Sequence, residues 1–138
     1  MRKPQFLRLA QIDDQHFITA CRHGLVHLTW GRATVRLSRD EFRRLAALLA
    51  RALEGLPPTS VRDGEMRITC RREEVCEARL GPWVLLLSPA EFEQFAGLSD
   101  EAVGRLDKLL ASGAWDEEEE EAAPDFSEQL RRNPFSLN

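Results

Sequence analysis

The chain has 138 residues, 43% of them hydrophobic and 30% charged, with a formal net charge of −4. That length suits one compact domain or two small halves sharing a core, and no stretch is long and apolar enough to span a bilayer. Met1-Arg2-Lys3-Pro4 lacks the apolar run of a secretory signal, and Cys21, Cys70 and Cys76 are an odd number in a chain without one; a reduced, cytoplasmic protein is expected.

In chain order, the first expected strand is Phe6–Ile12, closed by Asp13-Asp14. His16–Cys21 and Leu25–Trp30 follow, joined by the polar turn Arg22–Gly24. Gly31 then breaks the chain before a fourth strand at Ala33–Leu37. Ser38-Arg39-Asp40-Glu41 is a capping box. The Ser hydroxyl can accept from the N3 amide while the Glu carboxylate reaches back to the cap amide. Phe42, Leu45, Ala46, Leu49 and Leu53 then recur at helical spacing, predicting an amphipathic helix over 38–54 that Gly55 and Pro57-Pro58 end.

The same reading then repeats. Strands are expected at Thr59–Arg62, Met66–Arg71, Val75–Leu80 and Trp83–Leu87, with Asp63-Gly64 and Gly81-Pro82 as turns. Ser88-Pro89-Ala90-Glu91 is a second capping box with Pro at N1, where its missing N–H costs nothing. Phe92, Phe95 and Ala96 start an apolar stripe that Gly97 weakens, and Ser99-Asp100 reads as a fresh cap. Two helices are therefore expected, over 88–97 and 100–112, the second with Val103, Leu106, Leu109 and Leu110 on its apolar face.

Residues 11–53 and 61–103 align at an offset of fifty, without a gap, with twelve identities in forty-three positions. Chance at average composition would give roughly two or three. The expected fold is α+β. Two tandem β-rich units, 1–54 and 55–115, each close with a capped helix. They sit in approximate two-fold symmetry around a shared core, with antiparallel strands and the helices on one face. Whether the strands join into one sheet is left open. Residues 116–138 form an acidic linker and a short C-terminal peptide. The net charge is +3 over residues 5–54, −3 over 55–115 and −6 over 116–138.

The alternation of side chains along a strand tests the chemistry-bearing residues. If Arg22–Gly24 is a three-residue turn, Ile18, Ala20, Val26, Leu28 and Trp30 share one apolar face. Thr19, Cys21 and His27 point the other way, onto what reads as a half-exposed polar face. With His23 in the turn, Cys21, His23 and His27 are the one constellation that could hold a transition metal or haem. The second unit has Arg71, Glu73 and Glu77 there, and no Cys-x-x-Cys spacing is present. The same register sets Cys70 opposite Cys76, on positions held by Ala20 and Val26 in the first unit. Core packing is the expected role, with a redox-active thiol pair as the alternative. No phosphate loop, H-E-x-x-H or G-x-S-x-G is found.

Binding surfaces carry the functional expectation. Arg36, Arg39, Arg43, Arg44 and Arg51 make the first unit basic, but the interleaved Asp40 and Glu41 and the acidic second unit argue against nucleic acid. Thr34 and Arg36 are replaced by Val84 and Leu86, so Trp83–Leu87 is apolar throughout. A cover is expected on its outer face: the other unit, the helix at 101–111, or a second subunit, making Val84 and Leu86 a homodimer interface. Beyond the acidic run Asp116–Glu121, the anchors Phe126, Leu130, Phe135 and Leu137, with Arg131 and Arg132 between them, read as a partner-docking peptide. The function expected is that of a non-enzymatic adaptor that binds protein partners without any cofactor, the alternatives being the metal or haem sensor and the thiol pair.

Overall fold

The computed structural model describes residues 6–55, 58–71 and 75–113. Their order is β1 (Phe6–Asp13), β2 (His16–Cys21), β3 (Leu25–Trp30), β4 (Ala33–Ser38), α1 (Arg39–Glu54), β5 (Thr59–Asp63), β6 (Met66–Cys70), β7 (Cys76–Leu80), β8 (Trp83–Leu87) and α2 (Pro89–Ala111). Strands β1–β4 make one antiparallel meander and β5–β8 a second, separate one. The fold is α+β, built from two tandem units of about fifty residues, as the repeat implies.

Local chemistry accounts for the elements. Both capping boxes are formed: Ser38 Oγ accepts from the Glu41 amide at 3.0 Å, and Glu41 Oε1 accepts from the Ser38 amide at 2.8 Å. Ser88 and Glu91 repeat this at 3.1 and 2.9 Å. A lost cap of this kind typically costs about 1 kcal/mol. The repeated Gly31 and Gly81 turn their hairpins with φ of 67° and 65°, a left-handed conformation that any other residue would hold under strain. Irregular register near Arg8 and Gln11 marks bulges in β1, an edge strand, and bulges of this kind discourage strand addition.

The helices change places. α1 packs chiefly against β5 and β6 of the second sheet, α2 chiefly against β1 and β2 of the first, and the two helices pack on each other. Phe95 of α2 meets Trp30 of β3 edge-to-face at 5.2 Å. Arg43 of α1 pairs with Asp107 of α2 at 2.7 Å, and Arg44 reaches Asp63 of β5 at 3.8 Å. The inner faces of both sheets and the apolar stripes of both helices form one cluster, with Phe42, Leu45, Leu49, Phe95 and Leu106 fully buried. Each such side chain contributes about 2 kcal/mol; the exposed ion pairs add little.

One expectation is corrected. The helices predicted over 88–97 and 100–112 are a single helix, α2, running unbroken through Gly97 and Ser99. Ser99 does not cap; it is fully buried at the position Leu49 fills in α1. Phe92, Phe95, Ala96, Ser99, Ala102 and Leu106 form one continuous stripe, and burying it against the first sheet and α1 outweighs two mid-helix glycines. Gly97 and Gly104 are exposed, and a Cβ at either would meet no atom within 4 Å. Gly97→Ala and Gly104→Ala should therefore each raise stability by about 0.5–1 kcal/mol. Chemical denaturation checks this; an unchanged or lower midpoint for both would mean that the helix is interrupted there.

Candidate functional site

Because the inner faces are consumed by the core, the outer faces are the sheet surfaces left open to function among the described residues. Their registers are equivalent. Across the first sheet, Arg8, Thr19, His27 and Arg36 form one row, and Gln11, Phe17, Thr29 and Thr34 the next. Across the second, Ser60, Thr69, Glu77 and Leu86 form one row, and Arg62, Arg67, Arg79 and Val84 the next.

The two faces differ in exposure. On the second, Leu86 is 66% exposed, Val75 51% and Val84 41%. An open cleft of about 790 Å³ lies there, lined by Arg67, Thr69, Arg71, Val75, Glu77 and Leu86 among others. The cover expected over Val84 and Leu86 is not supplied by the described residues. Residues 101–111 belong to α2, which packs chiefly on the first sheet, and Val84 and Leu86 stay exposed. Three arginines stand directly opposite one another in the row that ends on Val84. Like charges so placed destabilise a sheet. Glu77, bonded to Arg79 at 3.5 Å, offsets part of that repulsion.

On the first sheet only the centre of the equivalent face is buried; Arg8 and Gln11 are exposed, and Phe17, Thr19, Thr34 and Arg36 are half-buried. Cys21 has no exposed area, Thr29 is 3% exposed and His27 8%, and Arg39, the first residue of α1, is 7% exposed. The expectation of a half-exposed polar face holds for Thr19, Thr34 and Arg36 and is corrected for Cys21, His27 and Thr29. The alternation of Thr19, Cys21 and His27 away from the core holds, with Thr19 half-buried and Cys21 and His27 buried. Cys21 is buried without joining the core cluster. Its sulfur accepts from the His23 amide at 3.3 Å. Phe6 lies edge-on to the His27 ring at 5.6 Å, Arg8 stacks on Phe17 at 3.9 Å, and Thr29 and Thr34 share a hydroxyl hydrogen bond of 3.1 Å.

Of the predicted metal ligands, Cys21 and His23 are tied by that hydrogen bond, and His27 sits in the adjoining row. Among the described residues, no three His, Cys, Asp or Glu side chains are grouped to hold a metal ion. The neighbours of His27 and Cys21 include Arg36 and Arg39, and cationic surroundings oppose a further cation. Burial pushes the Cys21 thiol up, only partly opposed by the His23 amide. Cys70 and Cys76 pair across β6 and β7 as the register required, each 5% exposed and part of the core. Burial, and then the neighbouring Cys76, raise Cys70 to about 12, leaving little of the thiolate that redox chemistry needs. The anchors Phe126, Leu130, Arg131, Arg132, Phe135 and Leu137 lie outside the described residues.

Compared with known protein families, curated proteins and solved structures, the chain gives no match.

Burial, and secondarily Arg36, lower His27 from the usual 6.5 to about 4. The unfolded chain therefore binds a proton at this residue that the folded chain refuses. Stability should be full above pH 6.5 and fall as the pH drops from about 6.5 to about 4, a loss on the order of 3 kcal/mol. His27→Gln should flatten that part of the profile. Denaturation midpoints across the range measure it, and an equal slope in both proteins would show that His27 does not titrate in this way.

Proposed function

We propose that the protein is a non-enzymatic interaction module, its two-unit body serving as a platform and residues 126–137 as a docking peptide. One observation carries the reading: the outer face of the second sheet leaves Val75, Val84 and Leu86 open beside a cleft bordered by arginines. Contiguous apolar exposure with a polar rim is the usual mark of a binding surface. The opposing arginines add a preference for a partner carrying carboxylates. The peptide's part rests on its sequence, in which Phe126 and Leu130 have the i,i+4 spacing of helical anchors. A protein partner in the cytoplasm fits both features. Among the described residues, no helix is long and apolar enough to cross a membrane.

Affinity recovery from native lysate tests the proposal. Leu86 is exposed, so Leu86→Thr, which sets no like charge opposite Glu77, should leave the melting temperature unchanged. Bound partner should fall at least tenfold, and removal of residues 116–138 should also reduce it. Unchanged recovery with both variants would overturn the proposal.

A further inference from the structure

The four sheet edges are not guarded alike. β1 is bulged, β4 carries Arg36, and β5 follows Pro58 and carries Arg62 and Asp63. Bulges, charges and prolines are the usual defences of an edge against strand addition. β8 has none of them: Trp83–Leu87 is uncharged, pairs with β7 in unbroken register and ends its four-stranded sheet. The tight turn Leu80-Gly81-Pro82-Trp83 joins β7 to β8, with Gly81 at a φ of 65°. Such a turn closes on a hydrogen-bonded pair, here Leu80 and Trp83, and alternation then directs the amides and carbonyls of Val84 and Leu86 to the free edge.

We propose that β8 takes up an extended segment of a partner protein as an added strand, one of its carboxylates meeting Arg79 and one of its aliphatic side chains lying over Leu86.

Charge and exposure select this occupant. In the two central rows of the outer face Glu77 is the one carboxylate, against Arg62, Arg67 and Arg79. Arg79 has Glu77, whereas Arg62, Arg67 and Arg71 have no acidic partner among the described residues, and Arg67 Nε is buried without an acceptor. That excess of positive charge is complemented by carboxylates. The residue of an added strand opposite Val84 stands two strand spacings, about 10 Å, from Arg79, a gap that a glutamate and an arginine side chain span between them. The residue opposite Leu86 meets exposed aliphatic surface. A second copy of the chain would offer β8 itself, which brings no carboxylate. A nucleic acid would find no aromatic ring in these rows on which to stack a base. The inference rests on the proposed function and names the binding mode and the partner's chemistry: main-chain hydrogen bonds supply affinity, and alternate side chains supply specificity.

The probe is a peptide of sequence Thr-Leu-Thr-Glu-Thr-Leu-Thr, blocked at both ends and titrated into the intact protein by calorimetry. It should bind with a Kd below about 1 mM. Replacing its glutamate by lysine should weaken binding at least tenfold. So should N-methylation of the leucine and glutamate amides, which face β8, whereas N-methylation of the threonine amides, which face away, should not. Val84→Pro removes a donor from the free edge at a place where an edge strand tolerates proline, and should abolish binding in a folded protein. If that variant does not fold, Arg79→Ser decides: the glutamate peptide then binds no better than the lysine peptide, or the proposal fails. No binding of the glutamate peptide, or binding indifferent to amide methylation, overturns it. So does a dimer that Val84→Pro dissociates, which would assign the edge to a second copy. Binding that appears only after removal of residues 116–138 would assign it to the chain's own acidic run, and overturns it too. Partner recovery that Leu86→Thr abolishes while the peptide does not bind would overturn the added strand alone and leave the proposed function standing.

Discussion

The exchange of helices between the two units is the constraint on which everything else depends. Each sheet has one apolar face, and a four-stranded meander cannot leave that face in water. Here the cover comes chiefly from the other unit's helix: α2 lies on β1 and β2, and α1 on β5 and β6. Neither half can bury its core without the other. The inner rows of both sheets, Phe42, Phe95 and the rest of the two stripes become one cluster. The charged pairs Arg43–Asp107 and Arg44–Asp63 lie at its rim, and exposed pairs contribute little beyond registry.

Once the inner faces are committed in this way, the outer faces are free to diverge. The repeat keeps what the fold needs: the two capping boxes, the hairpin glycines Gly31 and Gly81, and Phe42 with Phe92. It does not keep Cys21, His27, Thr29, Thr34 and Arg36, whose counterparts are Arg71, Glu77, Arg79, Val84 and Leu86. One scaffold therefore carries a polar face with a buried, neutral imidazole at its centre and an open face with apolar side chains among arginines. That asymmetry on a symmetric frame is the physical basis for reading the molecule as an interaction module.

Much of this was legible in the residues. Period-two alternation and the three-residue turn placed Ala20 opposite Val26 and Cys70 opposite Cys76, and both pairings are found. The capping boxes located both helix starts because their geometry is local. What was not legible was long-range. Ser99-Asp100 has the chemistry of a cap, yet the contacts that carry the helix through it come from the first sheet, ninety residues earlier in places. The burial of Cys21 and His27 was missed for the same reason, since strand alternation says which way a side chain points and nothing about what covers it. At Val84 and Leu86 the uninterrupted apolar strand implied a cover from the other unit, the helix at 101–111 or a second subunit; that helix packs chiefly on the first sheet, and both side chains are exposed.

Native-state hydrogen exchange on the intact protein and on Phe42→Leu tests the helix exchange most directly. Phe42 belongs to the first unit's helix, which packs mainly on the second sheet. The account predicts that the most protected amides of β2 and β3 and those of β6 and β7 lose the same free energy of protection, because the two units open as one. Loss confined to either unit, with the other's protection unchanged, would contradict a shared core and the exchanged packing that creates it.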